Sequence, residues 1–512
     1  MRVATAQQMR ELDNMTIHTL GVPSLLLMER AATGITEEAL KLLKNPSESR
    51  VVAFCGAGNN GGDGVATARL LRKAGVQVTA FLVGKREKMT SDNQAMEYML
   101  RNEGGELIDF DPESAEQKKA VDEADLFIDA LFGIGLNAEI RGNAKTAIQW
   151  MNDSPALVVA ADIASGIQAD TGIMLGTAVQ ADVTVTFTLP KAGHFVGQGG
   201  LATGRLVVYD IGIPQYLVDE LETDVTVIDA SLVRSFLPER PADGHKGTFG
   251  KDYILAGSVG YTGAPILASR AAVRSGAGLV YLGVPQKIYQ IAAIKSDEAM
   301  PSPLPDDDAG RLSESALMPV LARLAECDAA LIGPGLGTSA GITALIRNIL
   351  QTIQYPVILD ADGLNAIASD VSVLDKRREY PTIITPHDGE FARLGGDLSS
   401  GDRLRVARDF SREHGCLLIL KGHCTILTLP NGEAFLNPTG NCGMAKGGSG
   451  DVLSGILLGL MGQNIHPVKA AVAGVWLHGR AGDLAAAEKG TYAMTPSDII
   501  DYLPAAFREV TE

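Results

Sequence analysis

Short apolar segments with glycine or aspartate at or just beyond their carboxyl ends recur along this chain of 512 residues. Examples are Val51 to Cys55, Leu126 to Leu131 and Leu157 to Ala161. Apolar runs of this length are typical of parallel strands that are buried on both faces, and the segments between them have helical spacing. The pattern predicts an α/β fold with mostly parallel sheets, in which ligands bind beyond the carboxyl ends of the strands.

The length and one break in the pattern predict two domains, because 512 residues exceed one ordinary core. Acidic residues fill Asp219 to Asp224, a loop rich in turn formers follows, and a second series of strands begins at Asp252 to Ala256. We place the boundary at about 216–226, which gives domains at 1–217 and 225–510.

The remaining elements follow from the same spacing rules. Two helices are predicted within residues 1–50, and others at Val65 to Lys73, Ala264 to Ser275 and Val452 to Met461. Further strands are predicted at Val76 to Val83, Val183 to Thr188, Leu206 to Tyr209, Leu279 to Val284, Ala329 to Ile332, Val357 to Leu359, Ile383 to Thr385 and Leu417 to Leu420.

The composition limits the class of partner. A net charge of −17 argues against nucleic acid and against an anionic membrane surface, because both are bound by clustered cations. The chain has no long uninterrupted apolar run and no apolar signal core after Met1, so we expect no membrane span and a cytoplasmic protein. Five scattered cysteines without a CxxC pair predict a reducing compartment and no structural zinc.

A glycine loop in the second half predicts chemistry beside a bound phosphate. Gly447-Gly-Ser-Gly-Asp451 runs into the apolar helix that starts near Val452. Glycines let backbone N–H groups approach phosphate oxygens, and a helix start adds partial positive charge. A carboxylate at Asp451 would repel phosphate unless it had another task, so we predict that it takes a proton from a substrate hydroxyl.

A glycine loop in the first half, Gly56-Ala-Gly-Asn-Asn-Gly-Gly-Asp-Gly64, also joins a strand to a helix. Its GxGxxG spacing is that of Rossmann dinucleotide-binding sites. Two features count against such a site: the next strand does not end in the acidic residue that would bind the ribose, and the loop carries more polar side chains than binding a pyrophosphate requires. The alternative is a tight turn with Asp63 stabilising the helix start. Oxygens of Asn60, Asp129 and Ser165 follow three strands, and this mixture suits a monovalent or hard cation.

Three motifs in residues 1–217 resemble the NAD(P)H-hydrate epimerase family: Gly58-Asn-Asn-Gly-Gly-Asp-Gly64, Asp129-Ala-Leu-Phe-Gly-Ile-Gly135 and Asp162-Ile-Ala-Ser-Gly166. The resemblance implies a Rossmann-like three-layer domain that interconverts the R and S forms of hydrated NADH and NADPH. It implies Asp162 as the acid/base, and K⁺ held by Asn60, Asp129 and Ser165. The implied substrate contacts are Asn59, Asn60, Gly61, Gly62, Asp63, Gly133, Ile134, Gly135, Leu136, Asn137, Ala138 and Glu139. Ala164 replaces the proline usual in the family, which affects the rigidity of the turn.

Four motifs accompany the second glycine loop: Gly260-Tyr-Thr-Gly-Ala264, Gly333-Pro-Gly-Leu-Gly337, Thr385-Pro-His-Asp-Gly-Glu390 and Lys421-Gly-His-Cys-Thr425. Taken alone, Lys421 is either a phosphate-binding charge or a lysine at a surface strand end. His387 is either a substrate ligand or a hydrogen-bonded turn histidine. The other histidines have no comparable context.

Together these motifs resemble the ADP/ATP-dependent NAD(P)H-hydrate dehydratase family, which has a ribokinase-like fold. The resemblance covers about 225–510 and implies Mg²⁺ on the nucleotide, with ADP favoured over ATP. The implied nucleotide contacts are Lys421, Gly422, His423, Cys424, Thr425, Gly447, Gly448, Ser449 and Gly450, and the implied cofactor contacts are Ala264, Gly337, His387 and Asp451. Asp388 stands where the family commonly has proline.

With both halves on one chain, the sequence resembles the bifunctional NAD(P)H-hydrate repair enzymes, a family that implies a homo-oligomer of four or more chains. Three alternatives stay open. A small-molecule kinase in the second half would release a stable phosphorylated product. The first half could be a nucleotide-binding module without catalysis, or an NADP oxidoreductase with an acceptor pocket that the sequence does not reveal.

Overall fold

The computed structural model describes residues Met1 to Glu512, which form two compact units. The first unit comprises Arg2–Val225 and Gly401–Arg403, and the second comprises Met1, Thr226–Ser400 and Leu404–Glu512. No helix combines the length and the apolar character needed to cross a membrane.

The first unit is built on a seven-stranded sheet in which all neighbouring strands are parallel. Its strands are β1 (Arg50–Cys55), β2 (Gln77–Leu82), β3 (Leu107–Asp109), β4 (Leu126–Ala130), β5 (Leu157–Ala161), β6 (Val183–Phe187) and β7 (Arg205–Tyr209). Their order is β3-β2-β1-β4-β5-β6-β7. The order reverses between β1 and β4, so a crevice is expected where the carboxyl ends of these two strands meet.

Helices cover both faces of this sheet and complete three layers. They are α1 (Ala6–Asn14), α2 (Ser24–Leu42), α3 (Asn59–Lys73), α4 (Ser91–Asn102), α5 (Ala115–Asp122), α6 (Gly142–Asn152), α7 (Gly197–Ala202) and α8 (Gln215–Glu220). Alternate residues of β1 enter separate apolar clusters, with Ala53 in one and Phe54 in the other. This burial on both faces explains the continuous apolar run in the sequence.

The second unit is built on a ten-stranded sheet of order β11-β10-β9-β12-β13-β14-β15-β16-β17-β8. Its strands are β8 (Val225–Val227), β9 (Lys251–Leu255), β10 (Leu279–Pro285), β11 (Met300–Leu304), β12 (Ala329–Ile332), β13 (Val357–Leu359), β14 (Thr382–Ile384), β15 (Leu417–Leu420), β16 (Thr425–Thr428) and β17 (Ala434–Asn437). Pairing is parallel from β11 to β15, and antiparallel between β15 and β16 and between β16 and β17.

Eleven helices belong to this part of the chain. They are α9 (Ala230–Phe236), α10 (Gly263–Arg274), α11 (Tyr289–Lys295), α12 (Leu317–Leu324), α13 (Ala340–Thr352), α14 (Asp362–Ile367), α15 (Asp388–Arg393), α16 (Arg403–His414), α17 (Ser449–Gly462), α18 (Pro467–Ala493) and α19 (Pro496–Thr511). The helix α17 is buried along almost its whole length, which explains why its sequence is apolar on all sides.

Two predicted helix starts were wrong, that of α3 by nearly two turns and that of α17 by about one turn. The helix α3 begins at Asn59 and α17 begins at Ser449, so residues expected in loops lie in first helical turns. Glycine inside α3 is required by packing, because a Cβ on Gly61 would lie 1.7 Å from the carbonyl oxygen of Gly56. Glycine content alone therefore misled the prediction of these boundaries.

Candidate active sites

The carboxyl ends of the strands in the first unit bring the predicted polar residues together. A Cβ on Gly133, after β4, would lie 3.0 Å from Asn60 Oδ1 and 3.1 Å from Asp162 Oδ2. The side chains of Asn60 at the start of α3 and Asp162 after β5 therefore both border Gly133. The N–H of Ile134 donates to Asp162 Oδ2 at 3.3 Å.

Asp162 is held in an uncommon conformation by a set of buried contacts. Its φ is 64°, in the left-handed region that few residues other than glycine adopt, although asparagine and aspartate do so more often than most. Lys191 Nζ, 1% exposed, donates to Asp162 Oδ1 at 2.7 Å, and Thr186 Oγ1 donates to the same oxygen at 3.1 Å. His194 Nε2 lies 2.8 Å from the backbone oxygen of Asp162.

These contacts decide the charge states around Asp162. Burial opposes ionisation, but the Lys191 ammonium more than offsets it and lowers the pKa of Asp162 below its usual range. Burial also lowers the pKa of His194 to about 4, so the imidazole is neutral at pH 7. Since His194 Nδ1 accepts the N–H of Lys191 at 3.0 Å, Nε2 carries the proton and donates to Asp162.

Two further acids, Asp13 and Asp63, line a cleft near this centre. The cleft has a volume of about 330 Å³ and is lined by Arg10, Asp13, Asn14, Ile17, Ser24, Leu27, Met28, Ala31, Asn59, Asp63, Asp92, Phe187 and Ile211. Burial and the charge of Asp162 raise the pKa of Asp63 well above its usual value. Burial also raises the pKa of Asp13 to about 6. Burial thus favours the protonated forms of both carboxyls near the ionised Asp162, and does so more strongly for Asp63 than for Asp13.

The three predicted cation ligands surround the turn after β4. Asp129 is fully buried, and its carboxylate accepts the N–H groups of Ser165 at 2.8 Å and of Leu131 at 3.3 Å. Burial raises the pKa of Asp129 to about 6, and no cationic side chain offsets it. Ser165 Oγ lies 2.9 Å from the N–H of Phe132, while Asn60 Nδ2 is buried without a partner.

The predicted loop from Gly133 to Glu139 divides into two parts. Gly133 and Ile134 border Asp162, as described above, and Leu136 is partly buried. Gly135, Asn137, Ala138 and Glu139 are exposed. The carboxylate of Glu139 pairs with Arg141 at 2.9 Å, so the structure does not join it to Asp162.

In the second unit, Lys421 lies in an acidic centre that the sequence prediction missed in part. Lys421 Nζ, after β15, donates to Asp360 Oδ1 at 3.1 Å and lies 3.9 Å from Glu390 Oε2. Ser454 Oγ, from α17, donates to Asp360 Oδ2 at 2.6 Å. Burial opposes ionisation of Asp360. The charge of Lys421 and these hydrogen bonds more than offset this effect, and the pKa of Asp360 lies below its usual range.

Asp451 lies in the first turn of α17, next to this pair. Burial, helped by the charge of Asp360, raises the pKa of Asp451 to about 7. A Cβ on Gly450 would lie 3.5 Å from Lys421 Nζ, so the ammonium borders the helix start. The N–H groups of Gly450 and Asp451 donate to no acceptor in the chain, so two unused donors lie at the helix start that Lys421 borders.

His387 fulfils the turn role and keeps one nitrogen available. Its Nδ1 accepts the N–H groups of Gly389 at 3.0 Å and Glu390 at 3.4 Å, and so caps α15. Its side chain is 57% exposed, and Nε2 lies 3.6 Å from Glu390 Oε1. The position of Asp388, where proline was expected, is the first residue of this helix.

Ala264, in the first turn of α10, and Gly337, in the loop after β12, lie on neighbouring segments. Ser258 Oγ donates to the carbonyl of Gly335 at 2.8 Å, and a Cβ on Gly335 would lie 3.2 Å from that of Ala264. The N–H of Gly337 donates to Asp362 Oδ2 at 2.8 Å, which ties this loop to the segment after Asp360. The predicted cofactor contacts are thus connected to the acidic centre.

The remaining predicted nucleotide contacts lie on either side of Lys421 and Gly450. Gly422 and His423 are exposed, Cys424 is buried, and Thr425 opens the antiparallel strand β16. Gly447 is exposed, and Gly448, with φ of 104°, ends the loop before Ser449 starts α17.

Comparisons with known proteins cover both units. The family model described as NAD(P)H-hydrate dehydratase matches residues 253–505, and that described as YjeF-related protein N-terminus matches residues 24–193. A bifunctional NAD(P)H-hydrate repair enzyme of Moorella thermoacetica is 42% identical over 518 residues, which is 100% of this chain and 98% of that protein. The enzyme of the same description from Escherichia coli is 33% identical over 97% of this chain and 92% of its own length.

A solved ribokinase-like superfamily protein from Enterococcus faecalis is 26% identical, with a TM-score of 0.50, and the match covers 57% of this chain and 99% of that protein. The second unit therefore has a ribokinase-like fold, and the first has a Rossmann-like parallel sheet. The predicted fold class is confirmed.

Proposed function

The chain belongs to the family of bifunctional NAD(P)H-hydrate repair enzymes, which join an epimerase to a dehydratase, and we propose how its two sites divide that work. The enzyme interconverts the R and S epimers of hydrated NADH and NADPH, and dehydrates the S epimer at the expense of ADP or ATP. We assign epimerisation to residues 1–217 and dehydration to residues 225–510. The observation that carries this assignment is that each unit has its own aspartate and lysine at the carboxyl edge of its sheet.

Asp162 is proposed as the acid/base of the epimerase. The hydrated ring carries a hydroxyl on carbon 6, and inversion requires this group to leave and return on the other face. A carboxylate that Lys191 keeps ionised can take the proton of the returning water and give it back. Because Lys191 and Thr186 engage Oδ1, the second oxygen beside Gly133 is the one proposed to serve the substrate.

The start of α3 is proposed to hold the pyrophosphate of the hydrated cofactor. The N–H groups of Asn59, Asn60 and Gly61 have no acceptor in the chain, and a helix start favours an anion. Gly62 and Asp63 continue this turn, and the segment Gly133 to Glu139 is proposed to cover the ring from the opposite side.

Asn60, Asp129 and Ser165 are proposed to bind K⁺. A fully buried carboxylate without a cationic partner fits a bound cation, and amide and hydroxyl oxygens fit a monovalent ion better than a transition metal. When bound, the ion would supply fixed positive charge beside the turn after β4. The chain's own residues there position Ile134, whose N–H donates to Asp162.

Asp451 is proposed as the base of the dehydratase. Hydroxide is a poor leaving group, so the hydroxyl of the hydrated ring first attacks the terminal phosphoryl group of the nucleotide while Asp451 takes its proton. Lys421 and the N–H groups of Gly450 and Asp451 would stabilise the charge that develops on the phosphoryl oxygens. The ring nitrogen then expels the phosphate, which leaves a ring iminium, and loss of a proton from carbon 5 to water restores the dihydronicotinamide.

The nucleotide is proposed to bind along Lys421–Thr425 and Gly447–Gly450, with the hydrated cofactor at Ala264, Gly337 and His387. The described residues form no group of three or more histidine, cysteine, aspartate or glutamate side chains that could hold a metal. Mg²⁺ is therefore proposed to arrive on the nucleotide phosphates, where it supplies charge neutralisation. We propose ADP as the preferred nucleotide, with AMP and phosphate as products.

A cytoplasmic location and a homo-oligomer of four or more chains complete the proposal. None of the five cysteines, Cys55, Cys327, Cys416, Cys424 and Cys442, forms a disulfide, which fits a reducing compartment. The oligomeric state rests on the family resemblance and is measured directly by light scattering.

The test is incubation with a mixture of R and S hydrates, with and without ADP or ATP, followed at the near-ultraviolet band of NADH. The proposal requires complete recovery of NADH with stoichiometric inorganic phosphate, because epimerisation supplies the S form. A stable phosphorylated product would instead identify a small-molecule kinase. Recovery that stops when the S form is exhausted would remove the epimerase assignment.

A further inference from the structure

The loop that carries the glycines before Asp451 lies directly on one face of α18. This face has glycine at two positions where the loop passes. A Cβ on Gly479 would lie 2.2 Å from Thr439 Oγ1, and one on Gly482 would lie 2.3 Å from Met444 Sδ. The loop therefore packs against helix backbone, and its path depends on the side chains that flank these glycines.

Asp483 holds the beginning of the loop. Its Oδ2 accepts the N–H of Gly440 at 3.1 Å, and its Oδ1 accepts from Asn441 Nδ2 at 3.0 Å. Asn441 Oδ1 in turn accepts the N–H of Gly443 at 3.0 Å. One carboxylate thus fixes two successive residues, and removing it would leave partly buried donors without acceptors.

Lys446 holds the middle of the loop. Its Nζ donates to the carbonyl oxygens of Tyr492 at 2.8 Å and Thr491 at 3.5 Å, and also to that of Met494. These carbonyls lie at the end of α18, where Gly490 has φ of 75° and the last carbonyl oxygens have no N–H donors within the helix. The lysine therefore caps the helix, although its place before Gly447 and Gly448 in the sequence would also suit a phosphate.

His478 holds the end of the loop. Its Nε2 lies 2.9 Å from the backbone oxygen of Ser449, two residues before Asp451. Burial lowers the pKa of His478 to about 4, so the ring is neutral at pH 7. Local sequence spacing does not reveal this contact, because the partner lies 29 residues earlier in the chain.

We propose that α18 is the positioning element of the dehydratase, and that Asp483, Lys446 and His478 hold the glycine loop so that Asp451 and the Gly450 amide face one phosphoryl group. The inference rests on the role proposed above for Asp451. Asp483 and His478 are side chains of α18 that bond the beginning and the end of the loop. Lys446 is a side chain from the middle of the loop that bonds the end of α18. Donors held in advance need no rearrangement as charge develops on the phosphoryl group.

The test compares steady-state kinetics of full-length variants. In Asp483→Ala we expect kcat for dehydration to fall about 10- to 100-fold, as for other supporting residues of catalytic groups. KM for the S hydrate should change less than about threefold, because the cofactor contacts lie on other loops. Epimerase activity of the same chain should be unchanged, and a thermal midpoint of the second unit close to that of the unaltered enzyme reports that this unit has folded. Lys446→Met is a second variant with the same expectation.

Two control variants distinguish loss of the loop contacts from a general effect of changing α18. Asp483→Asn keeps one acceptor for the N–H of Gly440 but cannot accept from Asn441 Nδ2 as well, and should recover part of the lost kcat. Arg480→Met lies on the same helix and removes an ion pair to Glu509 at 2.7 Å, and it should dehydrate at close to the rate of the unaltered enzyme.

Unchanged kcat in both Asp483→Ala and Lys446→Met would overturn the inference, as would a loss in Asp483→Ala that Asp483→Asn does not relieve. An Asp451→Asn variant measured in the same assay distinguishes failure of the proposed function from failure of the positioning role of α18. If it still dehydrates, the proposed function fails; if it alone is inactive, only the positioning role of α18 fails.

Discussion

Lys191 Nζ lies 2.7 Å from Asp162 Oδ1, and this buried ion pair keeps a strained aspartate ionised at the edge of the first sheet. The lysine comes from the turn after β6, and the aspartate follows β5. Parallel pairing of Ala161 with Val185 brings the two ends together. The strand order of the fold therefore creates the charge state that the proposed epimerase chemistry needs.

Replacing Lys191 by methionine tests this relationship. Without the ammonium, burial opposes ionisation of Asp162 with only the hydrogen bonds of its neighbours to offset it, so its pKa rises and the ionised form is disfavoured. We expect epimerisation at pH 7 to fall about 100-fold or more, with part of the loss recovered at higher pH. The measurement is a pH–rate profile of R-to-S conversion; an unshifted profile would show that Lys191 does not set the charge of Asp162.

The pKa of Asp451, raised to about 7, predicts the pH dependence of dehydration. A base must be deprotonated to act, so kcat/KM should rise with pH through about 7 and level off above it. The profile is measured with saturating ADP and purified S hydrate. A rate that is constant from pH 5 to pH 8 would contradict the assignment of Asp451 as the base.

Asp252 predicts a pH-dependent stability of the second unit. Its carboxyl is fully buried on β9, both oxygens lack partners, and a Cβ on Gly462 would lie 1.8 Å from Oδ1. Burial and the charge of Asp328 raise the pKa of Asp252 well above its usual value. The folded state thus favours the protonated form, and stability falls as pH rises from the unfolded pKa of about 3.9 toward the folded one.

We therefore expect Asp252→Val to increase the free energy of unfolding by about 1–3 kcal/mol at neutral pH, and by less at pH 4. The readout is the midpoint of thermal inactivation of dehydratase activity, with epimerase inactivation as the internal reference. Asp252→Asn keeps a buried polar group, so its free energy of unfolding should increase by less than that of Asp252→Val. A valine variant with a lower midpoint at pH 7 would contradict the account.

Potassium is expected to matter for the first site alone. Exchange of K⁺ for tetramethylammonium at constant ionic strength should lower epimerase activity several-fold, because Asp129 would then lack a counter-charge. Asp129→Asn should lower the activity and remove its dependence on K⁺. Equal epimerase rates with both cations would exclude a functional site at Asn60, Asp129 and Ser165.

Much of this architecture could be predicted from the sequence, because buried parallel strands are apolar along their whole length. The strands that escaped prediction lack this signal. β11 contains Pro301 and Pro303, which are tolerated because it lies at the edge of its sheet. β16 and β17 form an antiparallel hairpin, and β3 and β8 have only three residues each.

The acids and glycines of the sites were predictable because they directly follow strands. Asp360 directly follows β13, so the same rule would have placed it at the site, although it belongs to none of the longer motifs. Lys191, His194 and Asp483 could not be assigned, since their partners are brought together only by strand order or by packing on α18. Their roles depend on contacts between distant segments, which local spacing does not encode.

The most direct measurement of the central claim uses two single variants, each assayed for both activities on the two epimers. Asp451→Asn should lower dehydration about 10²- to 10⁴-fold and leave epimerisation at its full rate, while Asp162→Asn should do the reverse. An equimolar mixture of the two variants should then convert the R hydrate to NADH. Loss of both activities from either substitution would contradict two separate sites on one chain.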